Sequence, residues 1–74
     1  MPAIEHEILG QVQRLRSFYS RAELDSARRR FMSRQPAIRA ALDAAAVDPV
    51  GRALSTAYLD VFFSIIASDE QFYG

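Results

Sequence analysis

Seventy-four residues with no Cys, one His and a formal net charge of zero hold a single domain at most, residues 1–74, with neither a disulfide staple nor a thiolate metal site. Half of the residues are hydrophobic, which argues against disorder, so stability must come from packed helices or from a second chain. The opening MPAIEHEILG carries two acids and no basic stretch; it does not read as a secretory leader, and with the lack of Cys it points to the cytoplasm.

The first element is expected over roughly residues 3–19. Ile4, Ile8, Val12, Leu15 and Tyr19 recur at helical spacing and form a narrow apolar stripe. Leu9 and Phe18 fall outside it and can widen contact with a neighbour. Gly10 costs roughly 1 kcal/mol relative to Ala inside a helix and is either tolerated or marks a close helix approach. His6 lies between Glu5 and Glu7, but adjacent helical residues diverge by about 100°, so the three cannot close on one metal. No nucleophile is positioned beside it, and neither catalysis nor a cofactor is expected.

Ser20 followed by Glu23 fits a capping box, which opens a second helix running to about Arg34. Pro36 interrupts it. Ser33 can cap a short further helix around residues 36–46, with Ile38 and Leu42 inward; a single kinked helix over residues 21–46 is the alternative. Asp48-Pro49 is the clearest boundary, pairing a good N-cap with a residue favoured at the first helical position. The last helix is expected from Pro49 to about Ser68. No segment alternates with period two, so the chain reads as all-α, a small bundle of three long helices completed by dimerisation.

Charge is uneven along this bundle. Residues 14–39 hold eight Arg against Glu23 and Asp25, whereas residues 40–74 hold Arg52 against five acids. The stretch from Arg21 to Leu42 resembles a helix-turn-helix, in which Ser33 would open a recognition helix carrying Arg39. Phe31 and Met32 sit where such a turn favours a small residue or Gly. Arg28, Arg29 and Arg30 are consecutive and fan around the helix, and Asp25 can pair with Arg28 or Arg29. Overall neutrality also disfavours nonspecific DNA binding. With Arg34, these arginines are instead expected to form an electrostatic rim that orients a protein partner.

The last helix is apolar over about half its circumference, wider than the stripe of an ordinary surface helix. Arg52, Thr56, Asp60 and Ser64 recur at i+4 as a solvated ridge. Arg52 and Asp60 count against a membrane span, and the lack of a basic polar face counts against a surface-lying helix. Tyr58, Val61, Phe62 and Ile65 are assigned to the core. Leu59, Phe63 and Ile66, with Phe72 beyond the helix, are left over as the expected protein interface. The functional expectation is a small non-enzymatic interaction module, a homodimer that docks on a larger protein as a regulator or inhibitor. The alternative is a dimeric DNA-binding regulator using residues 21–42.

Overall fold

The computed structural model describes residues 2–74. It is all-α, with no strand among the described residues: α1 Pro2–Phe18, α2 Arg21–Ser33, α3 Gln35–Ala45, α4 Pro49–Ala67 and α5 Asp69–Tyr73. The chain measures 38 × 26 × 18 Å with a radius of gyration of 13.1 Å, against about 11 Å for a compact domain of this length. The chain is therefore more extended than a compact domain of its length.

Local chemistry sets the boundaries. Ser20 caps α2 through the expected reciprocal pair: the Glu23 N–H donates to Ser20 Oγ at 3.2 Å and the Ser20 N–H donates to Glu23 Oε1 at 2.9 Å. The Gly51 N–H donates to Asp48 Oδ1 at 2.6 Å, and Pro49 is the first residue of α4. Between α2 and α3 the sequence expectation needs correction. Ser33 does not cap α3; its hydroxyl donates back to the Arg30 carbonyl at 2.9 Å. Only Arg34 separates the two helices, at φ −101° and ψ 10°, so the pair comes close to the kinked single helix given as the alternative. Pro36 is tolerated because N–H groups in the first helical turn have no intrahelical acceptor.

α4 is the centre of the packing, touching α1, α2, α3 and α5. Its neighbours cover it unevenly. Leu59, Phe63, Ile65 and Ile66, all in its second half, are buried with Ile8 and Val12 of α1, Leu24 of α2 and Phe72 of α5. Val50, Leu54 and Tyr58 on its first half stay exposed.

The expected interface on α4 is thereby overturned. Leu59, Phe63, Ile66 and Phe72 are 6%, 3%, 3% and 5% exposed and form the chain's own core. Tyr58, assigned to the core, is exposed, while Val61 and Phe62 are half-buried and Ile65 is fully enclosed. A helical wheel of the whole segment gives Val50 and Leu54 equal weight with the packed second half, and this turned the inferred core direction away from Phe63. In the second half alone the covered arc runs from Ile65 through Phe62, Ile66 and Leu59 to Phe63, about 160° at 100° per residue.

α5 was not expected as a helix. Ser68 ends α4 and caps α5, its hydroxyl accepting from the Gln71 N–H at 3.3 Å. This single-residue turn folds Phe72 back onto Ile66 and α1.

Candidate protein-docking site

Most of the arginines in the basic half of the chain are engaged inside the fold. Arg28, 18% exposed, is wedged against the end of α4: Nε donates to the Ile66 carbonyl at 2.5 Å and Nη2 to the Ala67 carbonyl at 2.7 Å, while Nη1 meets Asp69 Oδ1 at 2.6 Å. Those carbonyls have no acceptor role left within their own helix. A cation there is also favoured by the helix dipole. Arg16 does the same for α5, with Nε donating to the Phe72 carbonyl at 2.9 Å and Nη2 to the Gln71 carbonyl.

The remaining pairs are peripheral. Arg29 meets Asp25 at 3.0 Å across one helical turn, and Arg52 meets Asp43 at 2.8 Å. Arg39 pairs with Asp60 at 2.9 Å and lies 5.4 Å from the Phe63 ring centre. Asp60 is thus on the solvated ridge as read from the sequence, with a partner the sequence did not indicate. Arg21 stacks over Tyr73 at 4.1 Å. The Tyr73 hydroxyl donates to Asp25 Oδ1 at 2.7 Å. This bond, together with the positive field of Arg29, Arg28 and Arg21, holds the Asp25 carboxyl below its ordinary range. Ser20 lowers that of Glu23 in the same way, through its backbone N–H and then its hydroxyl.

The expected rim of Arg28, Arg29, Arg30 and Arg34 therefore divides. Arg28 is a structural cap and Arg29 is ion-paired, whereas Arg30 and Arg34 make no ion pair among the described residues. Arg14 on α1, which the sequence did not single out, is in the same condition.

An apolar opening adjoins the hollows that these three unpaired arginines line. Tyr19 and Ser20 alone join α1 to α2, and both helices lean on α4 more than on each other, which leaves a groove of about 180 Å³ between them. Val12 and Leu15 form one wall and Leu24, Ala27, Arg28 and Phe31 the other, with Phe62, Ile66 and Phe72 as its floor; Arg28 is the one charged residue among them and is already paired with Asp69. The Phe31 ring meets Phe62 edge-on at 5.9 Å, so it is braced in place while half of it faces water. Arg14 and Phe18 adjoin the groove through Leu15. Arg30 and Arg34 adjoin it through Phe31. Phe18 is 77% exposed. Phe18 was legible as an apolar residue off the α1 stripe, but nothing in the sequence placed it beside the groove.

A second apolar strip lies elsewhere. Val50, Leu54 and Tyr58 follow one another at i+4 along the first half of α4, and Val50 and Leu54 are 69% and 61% exposed. Ala53 and Ala57 border them. By length and composition α4 could cross a bilayer, yet its second half is committed to the core. His6 is exposed, and no cluster of three metal-ligating side chains occurs among the described residues.

A groove of this volume falls below the range of pockets that enclose a small molecule, about 300–1,000 Å³. It suits one or two protruding apolar side chains. The chain matches no family model, no curated protein and no solved structure.

Proposed function

We propose that this chain is a small non-enzymatic helical binding module that docks on another protein through the α1–α2 groove and acts by modulating that protein. The observation that carries the reading is the groove itself. Braced aromatic and aliphatic side chains line a preformed slot, and exposed Leu15, Phe18 and Phe31 extend it into solvent. Contiguous apolar surface of this kind marks interaction sites, and laying an amphipathic segment into such a slot is a recurrent recognition mode.

The helix-turn-helix alternative is less well supported. A one-residue joint at Arg34 does not supply the three- to four-residue turn of that motif, and Arg39 is tied to Asp60. Too few arginines remain free for phosphate neutralisation to dominate.

We also propose that the module pairs with a second copy, through the strip of Val50, Leu54 and Tyr58 rather than through Leu59 and Phe63. This strip carries no charge of its own, so a two-fold pairing brings it onto itself without like-charge cost. Ala53 and Ala57 beside it allow close backbone approach. The Arg-flanked groove would instead repel its own copy.

The docking reading is tested by affinity capture followed by titration of the purified target. A target supports the reading if the double variant Leu15→Ser with Phe18→Ser binds it about tenfold or more weakly than wild type, the loss expected for removing central apolar contacts. Equal affinity would place the docking surface elsewhere.

A further inference from the structure

The charge around the groove narrows what can enter it. Arg28 lines the groove but is paired with Asp69, whereas Arg14, in a hollow that shares Leu15 with it, and Arg30 and Arg34, in one that shares Phe31, have no counter-charge in the fold. Asp69 is taken by Arg28, and Glu23, which faces the neighbouring hollow with Ala27 and Arg30, is occupied in the capping box with Ser20. Asp25 is taken by Arg29 and Tyr73. The groove therefore presents an apolar floor between positive flanks.

We propose that the occupant of this groove is an acidic amphipathic helix of another protein, which inserts bulky apolar side chains between α1 and α2 and sets Asp or Glu against Arg14, Arg30 and Arg34. The inference rests on the docking reading above and adds the chemistry of the partner. Three features support it together. The slot accepts side chains rather than a whole small ligand. Its walls are two helices, between which a third lays anchors at i, i+3, i+4 and i+7. Planar guanidinium groups pair carboxylates in a forked geometry, so unpaired arginines at the rim favour a partner rich in carboxylates. A second copy is disfavoured here, because its own three arginines would approach the same rim.

Two synthetic amphipathic helical peptides test this, with the same Leu and Phe anchors at i, i+3, i+4 and i+7 and with flanking positions either all Glu or all Lys. Each is titrated into the full chain, with backbone amide shifts reporting the site and fluorescence anisotropy the affinity. The Glu peptide should shift Leu15, Phe18 and Phe31 and bind about tenfold more tightly than the Lys peptide, the sum expected from a few solvent-facing charge contacts. Added salt should narrow that difference. The double variant Arg30→Gln with Arg34→Gln, both exposed and without a side-chain hydrogen bond or ion pair among the described residues, should largely abolish it while leaving the shifted residues the same.

Lys and Glu peptides of equal affinity at the groove would overturn the acidic partner and leave the docking reading standing. Peptides that leave Leu15, Phe18 and Phe31 unshifted would overturn both. A single-stranded oligonucleotide or anionic phosphatidylglycerol vesicles displacing the Glu peptide from these residues would assign the rim to phosphate instead, and would equally overturn the proposal.

Discussion

At the scale of single residues, neighbours with the same chemistry have unlike roles. Arg28 and Arg29 are adjacent in sequence, yet only Arg28 reaches the end of α4, where it donates to two carbonyls and pairs with Asp69. Hydrogen bonds to charged groups contribute about 1.5–3 kcal/mol each, and partial exposure reduces this. Arg28→Ala should therefore lower unfolding free energy by about 2–3 kcal/mol. Arg29→Ala, which removes one exposed ion pair, should cost under about 1 kcal/mol. Urea denaturation of the two variants makes the comparison, and equal losses would contradict the capping role of Arg28. Gly10 offers the reverse case. Beyond its chain neighbours and its own helix backbone, no atom lies within 4 Å of where its Cβ would be, so it marks no close helix approach. Gly10→Ala should stabilise the chain by about 0.4–1 kcal/mol through reduced freedom of the unfolded state, seen as a higher urea midpoint.

Legibility also differs by residue. Ser20, Glu23, Asp48 and Pro49 were readable because caps act within three residues of chain, and local chemistry decides them. Arg28 was not, because the carbonyls it serves lie 38 and 39 residues away. Its position in an RRR run suggested a basic surface, and no local rule distinguishes the inward arginine from its neighbours.

Among the elements, α5 shows how a five-residue helix is held by what docks on it. A helix this short has no stability of its own. It persists because Phe72 is buried, Arg16 and Arg28 tie down its two ends, and Tyr73 reaches Asp25 on α2. The sequence ended its last long helix correctly near Ser68, but could not show that the chain folds back, since that turn is driven by tertiary contacts. The Tyr73–Asp25 contact should make stability depend on acidity. The folded-state value of Asp25 is depressed, so its contribution is fully present above the unfolded carboxylate range, near pH 4, and is lost as pH falls through the lower folded value. Tyr73→Phe removes the hydrogen bond that contributes most to that depression. Urea midpoints followed from about pH 6 down to about pH 2 should fall less steeply in Tyr73→Phe than in wild type; parallel curves would show that the contact does not hold the carboxylate in solution.

For the molecule as a whole, the deciding feature is the unequal cover of α4. The sequence correctly showed one helix more apolar than a surface helix needs, and that excess could only be assigned a direction by averaging over the full segment. The fold breaks that average: the second half is packed into the core with residues of α1, α2 and α5, whereas on the first half α3 supplies the Asp43–Arg52 ion pair and Val50, Leu54 and Tyr58 stay exposed. Two substitutions to the same charge should then behave differently. Phe63→Glu places a carboxylate in the core beside Ile65 and Ile66, where an unpaired charge costs several kcal/mol, a large fraction of the stability available to so small a domain, and the chain should lose its helical circular dichroism. Leu54→Glu alters a side chain that is mostly in water and should leave the fold intact. If the Val50–Leu54–Tyr58 strip joins two copies, wild type sediments as a dimer at tens of micromolar, roughly the range of a weak two-fold contact. Leu54→Glu then sediments as a folded monomer, because two-fold symmetry brings each introduced carboxylate against the same neutral strip of the other copy. A wild-type monomer at that concentration, or a Leu54→Glu dimer, would remove the strip from the proposal while leaving the α1–α2 groove and its acidic partner to be judged by the peptide titration.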